Sequence, residues 1–243
     1  DYQKSVNDYK DDIASIVKER FENKKQEIEQ SYDTEVDKLE VEARKRRQDA
    51  LSRFKEFIYR YPDHPKYTPS AMFRLAELYF ERDSDEFVRQ SEIFEDAYQQ
   101  YEKGAISQAD LPPEPEVPNY TATVSLYQEL ISRFPQYEYV DGAYYLMGYC
   151  LEEMQRGDEA KEAFAALIEN RPDSRFVPES WLRIGEYHFD YNNLDEAAQA
   201  YREVLKSKDP SFYDKGLYKL AWTYYRQDNY PKAIETFIET IEY

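Results

Sequence analysis

The stretch "YQELISRFPQYEYVDGAYYLMGYC", residues 127–150, has a pattern that occurs twice more along the chain. An amphipathic run ends at Phe134 and Pro135, and a second apolar run begins a few residues later. The same succession is found in "FAALIENRPDSRFVPESWLRIGEYHF" and in "YREVLKSKDPSFYDKGLYKLAWTYY". Similarity at a fixed spacing is the sequence signature of a solenoid built from stacked supersecondary units. We therefore predict stacked pairs of helices.

Three classes of position share one register, with steps of 37 and then 36 residues. The crossing positions are Gly148, Gly185 and Ala221; the small residues of the second helices are Ala160, Ala197 and Ala233; the aromatic positions are Phe164, Tyr201 and Phe237. Small residues allow two helices to cross closely, and we expect an aromatic ring to fill the gap between neighbouring pairs. Pro172 and Pro210 follow the second helices of two units and cannot continue them.

These units resemble the tetratricopeptide repeat, a helix–turn–helix unit of about 34 residues. The resemblance covers "AYYLMGYCLEEMQRGDEAKEAFAALIENRP", "SWLRIGEYHFDYNNLDEAAQAYREVLKSKDP" and "LYKLAWTYYRQDNYPKAIETFIETIEY". It departs from the family at Ala221, where the family has a crossing glycine, but alanine is nearly as small. The resemblance implies an all-α solenoid, a right-handed superhelix of helix–turn–helix units.

The repeats are predicted to continue upstream in a less regular form. Residues 50–62 read as a second helix, 70–82 as the first helix of the next unit, and 123–135 as its partner. An insert at about residues 84–119 separates the last two. It begins with an acidic amphipathic run and ends in "LPPEPEVPNY", for which a mobile linker is the favoured interpretation. We assign residues 49–243 to the solenoid and expect further repeats beyond Tyr243, because the last predicted helix has no polar cap.

Residues 1–48 are predicted to form one long charged helix that precedes the solenoid. Residues 1–61 contain neither glycine nor proline. An apolar stripe runs through Tyr2, Val6, Tyr9, Ile13 and Ile16 and resumes at Ile28, Tyr32, Val36 and Leu39. So polar a helix requires a partner, and we favour a coiled coil with a second copy or with another protein. A helix lying along its own repeats is the alternative.

Composition excludes several classes of function. The net charge of −18 opposes binding to nucleic acid and to anionic lipid. The chain has no apolar run of 18 residues, so we expect no insertion of this segment into a membrane. A single cysteine excludes an internal disulfide.

Candidate catalytic residues lack the partners that chemistry requires. His64 lies in a turn between prolines, and His188 lies in the first helix of a repeat. Neither belongs to a motif such as H-E-x-x-H, and Cys150 reads as a buried, unreactive thiol. We predict a protein that is not an enzyme and that uses no cofactor or metal.

A binding surface remains as the functional candidate. In the family, the first helices of successive units line a concave face that takes extended peptides or partner helices. Carried over by alignment to the crossing positions, the candidate residues are Tyr145, Tyr149, Glu152, Leu182, Glu186, Phe189, Asp190, Tyr218, Trp222 and Tyr225. Carboxylates and rings together favour a protein or peptide partner that carries basic residues. The competing interpretation is that several of these rings pack between helices.

The stretch "RYPDHPKYTPSAMFRLAELYF" is similar to the bacterial cell-envelope branch of the family. That branch includes outer-membrane assembly lipoproteins and the periplasmic coordinators of the Tol–Pal system, which join an amino-terminal coiled coil to a repeat domain. The resemblance implies an interaction scaffold of an envelope complex in the bacterial periplasm, with the cytoplasm as the alternative location. A self-assembling structural component of a motility or secretion apparatus is the alternative function.

Overall fold

The chain is all-α over the residues that the structure, a computed structural model, describes. These are residues 2–207 and 210–242, with side chains from Lys18 onward except at positions 19, 27, 29, 30, 33 and 37. They form α1 (Tyr2–Arg60), α2 (Tyr67–Glu102), α3 (Thr121–Arg133), α4 (Val140–Glu153), α5 (Gly157–Asn170), α6 (Val177–Asp190), α7 (Leu194–Lys206), α8 (Pro210–Arg226) and α9 (Tyr230–Glu242). A short 3-10 helix spans Gln108–Asp110, and none of the described residues lies in a strand. The predicted all-α fold is confirmed.

The chain divides into two compact units, residues 1–52 and 53–243. The first unit is helical over its described residues, all of which belong to α1. The side chains of Ile28, Tyr32, Val36 and Leu39 are 47–70% exposed, and the earlier part of the predicted stripe lies outside the described side chains. The coiled coil therefore stays a prediction.

Within the second unit, the repeat register is set by a close contact between a glycine and an aromatic ring. A Cβ atom on Gly148 would lie 2.6 Å from Cε1 of Phe164, and one on Gly185 would lie 2.5 Å from Cε1 of Tyr201. Both rings are fully buried. Each ring therefore packs within its own helix pair, whereas the sequence suggested a position between neighbouring pairs. The crossing glycines are needed because any side chain there would overlap the ring.

The contact between successive pairs also uses small residues. Gly216 of α8 faces α7, and a Cβ atom there would lie 3.0 Å from Cδ2 of Leu205 and 3.1 Å from Cγ1 of Val204. Ala143 and Ser180 occupy the same register in α4 and α6, and both are fully buried. Each first helix thus presents a small residue where it crosses the second helix of the preceding pair.

The turns between the paired helices repeat as well. Gln155, Asn192 and Asp228 have φ values of 58°, 61° and 57°, in the left-handed region, and they occupy one register position. The next amide then reaches back to the end of the helix, as Arg156 N donates to Leu151 O at 2.8 Å. A residue in the left-handed conformation reverses the chain at this point. The amide that follows it can then donate to a carbonyl that has no partner within the helix.

Upstream, the amphipathic half of the insert is an extension of α2, so that one helix of 36 residues runs from Tyr67 to Glu102. The proline-rich half has no regular secondary structure and returns to the same helix at its end. There the hydroxyl of Tyr120 lies 2.8 Å from Oγ of Ser84, and its ring lies 4.7 Å from that of Phe80. These contacts hold the start of α3 beside α2.

Candidate partner-binding surface

The helices α4, α6 and α8 carry the predicted binding residues, and contacts at neighbouring register positions link the three helices. Glu152 of α4 lies 3.4 Å from the guanidinium of Arg183 in α6. Glu186 of α6 lies 2.8 Å from the ammonium of Lys219 in α8. We call the surface formed by the predicted residues of these helices the first-helix face.

The carboxylates of the first-helix face are partly neutralised by cations that the sequence analysis did not single out. One terminal nitrogen of Arg183 lies 3.4 Å from Glu152 and 3.8 Å from Glu186, and its other terminal nitrogen lies 3.7 Å from Glu179. Lys219 holds the second oxygen of Glu186 at 2.8 Å. Arg183 and Lys219 occupy equivalent register positions in α6 and α8, where α4 has Leu146. The repeat alignment could therefore have identified these two cations as neighbours of the predicted carboxylates. The face carries paired charges at its centre.

Burial shifts the pKa of two groups at this centre. It raises the pKa of Glu152, although the neighbouring Arg183 acts in the opposite direction. Burial also raises the pKa of the Tyr145 hydroxyl, and the carboxylate of Glu179 adds to the effect. Both side chains are half-buried, so they belong to the internal packing of the face as well as to its surface.

A cavity of about 330 Å³ lies beside this network, among α4, α5, α6 and α8. Four predicted residues line it, namely Glu152, Glu186, Phe189 and Asp190. Lys161, Arg183 and Lys219 line it too, so its walls carry three carboxylates and three cations. The structure thus brings the predicted carboxylates together, but with an equal number of positive groups beside them.

Three of the predicted rings are packed against other parts of the solenoid. Tyr145 stacks on Phe176 with ring centroids 4.7 Å apart, and the ring of Tyr149 lies 6.1 Å from that of Phe80. The guanidinium of Arg226 lies 4.4 Å from the ring centroid of Phe189 and donates to the Phe189 carbonyl at 3.1 Å. These three rings are half-buried, and their contacts indicate that they pack within the solenoid.

The three predicted rings of α8 are the exposed part of the first-helix face. Tyr218, Trp222 and Tyr225 are 49%, 40% and 49% exposed. They meet edge to face, with centroid separations of 6.3 Å between the first two and 5.5 Å between the last two. The ring of Phe237 in α9 supports Trp222 at 5.8 Å. We call this group of rings the α8 aromatic cluster.

Leu182, the remaining predicted residue, is buried in the core with Tyr201 and Val204. Leu182 occupies the register position of Tyr145, but its side chain is buried whereas that of Tyr145 is half-buried. We therefore leave Leu182 out of the binding surface.

The remaining candidate residues of the sequence analysis are the two histidines and the cysteine. His64 Nδ1 accepts the backbone N–H groups of Lys66 and Tyr67 at 3.3 and 3.2 Å, at the start of α2. Burial lowers the pKa of His188, and nearby Lys161 lowers it further. Cys150 is buried, as predicted. Among the side chains that the structure describes, no group of three or more His, Cys, Asp or Glu residues could hold a metal ion.

No helix in the part of the chain that the structure describes is both long and apolar enough to cross a membrane.

The comparison with known proteins agrees with the repeat register. A family model described as tetratricopeptide repeat matches residues 145–212, and a second model with the same description matches residues 215–243. These segments of the chain contain tetratricopeptide repeats. No curated protein matches the chain.

Solved structures share the fold at low sequence identity. The crystal structure of MamA protein is 13% identical, with 82% of this chain and 84% of that chain covered and a TM-score of 0.54. A second crystal structure of MamA is 13% identical, with 79% and 85% covered and a TM-score of 0.52. The C-terminal part of a TPR repeat-containing protein from Cytophaga hutchinsonii is 14% identical, with 81% of this chain and 59% of that chain covered and a TM-score of 0.51. These likenesses support the solenoid fold alone.

Proposed function

We propose that this protein is a non-enzymatic interaction scaffold that binds a segment of a protein partner on its first-helix face. The observation that carries this proposal is the α8 aromatic cluster, in which Tyr218, Trp222 and Tyr225 lie side by side and about half exposed. Tyrosine and tryptophan supply a large contact area at a low cost in side-chain entropy, and interfaces are enriched in both. Tetratricopeptide repeats generally serve as protein-interaction scaffolds, which agrees with this use of the surface.

The partner segment is basic in this proposal. The chain carries a net charge of −18, and the rings of the cluster can stack on guanidinium planes. Within the face, Glu152 and Glu186 are already paired with Arg183 and Lys219. The long-range field of the whole chain therefore contributes more to the attraction than a single carboxylate does.

In this proposal the cellular setting is a complex of the bacterial envelope, in the periplasm. The support is the resemblance of residues 60–80 to the cell-envelope branch of the repeat family, together with the order of parts, a long helix followed by a solenoid.

The experiment is affinity capture with the whole protein in three forms: unchanged, Trp222→Ala and Tyr59→Ala. Trp222→Ala removes the central ring of the cluster and should weaken binding by about 2 kcal/mol, roughly thirtyfold in Kd. Tyr59→Ala is the matched control, since Tyr59 is an exposed ring on α1. Added salt should weaken capture, because exposed charges are screened over about 8–10 Å. If a folded Trp222→Ala protein retains the same partner as fully as the unchanged protein, the first-helix face is not the site.

A second candidate function is self-assembly through α1, favoured by the exposed residues Ile28, Tyr32, Val36 and Leu39. Sedimentation at increasing concentration separates the two candidates. Growth into large species supports self-assembly, whereas a small species of constant size that captures a partner supports the scaffold.

A further inference from the structure

The cavity of about 330 Å³ among α4, α5, α6 and α8 lies within the stack of repeats, with described helices before and after it. The pair α2 and α3 precedes these helices in the chain, and α9 completes the pair that α8 begins. The walls of the cavity are therefore formed by neighbouring repeats and not by an end of the chain. Its volume falls in the range of about 300–1,000 Å³ that is typical of ligand-binding pockets, so it can receive a side chain of a partner.

The walls of this cavity carry three carboxylates and three cations, but one of these cations is shared with a carboxylate outside the walls. A terminal nitrogen of Arg183 lies 3.7 Å from Glu179, which does not line the cavity. A second cation, Lys161, places its ammonium 4.6 Å from the ring centroid of Tyr187. With Glu179 included, the charged groups at the cavity have one more negative member than positive.

Asp190 is the carboxylate of the wall that has no cation beside it. Glu152 is paired with Arg183 at 3.4 Å, and Glu186 is paired with Lys219 at 2.8 Å. By contrast, no Lys, Arg or His nitrogen among the described residues lies within 4 Å of the Asp190 carboxylate. Asp190 is the last residue of α6 and is exposed, so a cation can reach it from solvent.

Two buried oxygens around the cavity also lack a hydrogen bond. Tyr201 is fully buried, and its hydroxyl makes no hydrogen bond with any described residue. Burial raises the pKa of this hydroxyl, and Glu186 and Asp190 raise it further, which places the hydroxyl in the field of two carboxylates of the wall. Oε2 of Glu152 is buried and accepts no hydrogen bond from the described residues. A buried polar atom without a partner is costly, and a ligand that donates a hydrogen bond would remove part of this cost.

The aromatic side chains of the wall favour a guanidinium group as the ligand. Tyr191 lines the cavity and is 62% exposed. The chain already contains one guanidinium on a ring of this wall, since Arg226 lies 4.4 Å from the ring centroid of Phe189 and donates to its carbonyl at 3.1 Å. A guanidinium presents a flat face to a ring and five donors to acceptors in its plane, whereas an ammonium is a compact charge.

We propose that this cavity anchors one arginine side chain of the basic partner segment, with its guanidinium paired with Asp190 and its flat face against Tyr191. The unpartnered oxygen of Glu152 is a further acceptor on the same wall. This inference rests on the proposed function, because it names the group of the partner that the first-helix face holds. The field of the whole chain attracts a basic segment in general, whereas the cavity fixes one arginine in place.

The test titrates the capped tripeptide acetyl-Ala-Arg-Ala-amide into the whole isotope-labelled protein and follows the backbone amide signals of residues 186–191 by NMR. We expect shifts that saturate with the concentration of the peptide. The matched peptide carries citrulline, which has the shape of arginine without its charge. Its Kd should be at least about tenfold higher, because it cannot form the charge-assisted pair with the carboxylate.

The protein variants are Asp190→Asn and, as the control, Asp173→Asn. Asp173 is exposed in the turn before α6, at the other end of that helix from Asp190, and its replacement changes the net charge by the same amount. Asp190→Asn should weaken binding of the arginine peptide by at least about fivefold, and Asp173→Asn should leave it unchanged. Equal weakening by both variants would mean that only the overall charge acts, and it would overturn the proposal.

The proposal is also overturned if the arginine peptide causes no saturable shifts, or if the citrulline peptide binds equally well. The same holds if acetyl-Ala-Glu-Ala-amide binds at these amides more tightly than the arginine peptide, because the cations of the wall would then be the ligands. Neither variant alters Trp222, so the two proposals can fail separately. If Trp222→Ala loses the partner and the arginine peptide does not bind, the first-helix face stands without this anchor. If the arginine peptide binds as expected and Trp222→Ala retains the partner, the cavity stands as an arginine site and the proposed function fails.

Discussion

Replacing Gly185 by alanine tests the contact that sets the repeat register. The added Cβ atom would lie 2.5, 2.7 and 2.9 Å from Cε1, Cδ1 and Cζ of Tyr201. Because carbon atoms normally rest about 3.5–4.0 Å apart, the ring would have to move by about 1 Å. The Tyr201 ring is fully buried, so this movement disturbs the packing of the core around it.

Two opposing effects set the magnitude. Overpacking a core costs about 1–3 kcal/mol, and replacing glycine by alanine within a helix gains up to about 1 kcal/mol. We expect a net loss of about 1–2 kcal/mol, which lowers Tm by about 2–8 °C for a chain of this size. Thermal unfolding followed by circular dichroism at 222 nm measures the change.

The matched control is Gly142→Ala in α4. A Cβ atom on Gly142 would lie 3.5 Å from Cζ of Phe73, an ordinary contact, so this change should stabilise the protein by about 0.4–1 kcal/mol. In a double-mutant cycle, Tyr201→Leu should lessen the cost of Gly185→Ala by at least about 0.5 kcal/mol, because the two side chains then no longer compete for the same space. A Gly185→Ala protein that melts at or above the temperature of the unchanged protein would refute the reasoning.

Three further predictions concern the core, a turn and the thiol. Ala197→Leu, at a fully buried position where α7 meets α6, should destabilise by about 1–3 kcal/mol in denaturant titration; an unchanged transition midpoint would mean that the register is wrong. Gln155→Gly should stabilise by about 0.5–1 kcal/mol, since Gln155 has a φ of 58° and glycine adopts that region without a steric penalty; a fall in Tm would contradict the assigned turn. Burial raises the pKa of Cys150 to about 12, so a disulfide reagent at pH 8 should react with it only after unfolding, and rapid reaction with the native protein would count against the packing.

The register was predictable from the sequence because it depends on residue size. Gly148 and Phe164 are recognisable as a small and a large residue at a fixed separation, and the structure places them in contact. The same argument predicted Ala160, Ala197 and Ala233 as buried positions, and all three are buried.

The charge balance of the first-helix face was not predictable in the same way. Whether Glu152 attracts a ligand depends on which cation a neighbouring helix brings within 4 Å, and this distance follows from the packing of α4 against α6. Arg183 supplies that cation. Leu182 shows a related limit, since alignment to the crossing glycine gave its position but not the depth to which an apolar side chain turns inward.

The middle of α2 differs from the sequence prediction, which ended this helix at residue 82. The run "ERDSDE", residues 81–86, resembles a break between two segments, yet α2 continues through it to Glu102. It contains neither glycine nor proline, so the backbone has no reason to leave the helix there. The absence of glycine and proline from this run indicates the continuous helix more reliably than its charged residues do.

The measurement that tests the account most directly is site-specific photo-crosslinking in the native cell. A photoreactive phenylalanine analogue replaces Trp222 in the α8 aromatic cluster and, in a second protein, Gln199 on the exposed side of α7. The account predicts a crosslinked partner from position 222 and none from position 199. A partner crosslinked from position 199 but not from position 222 would contradict binding on the first-helix face.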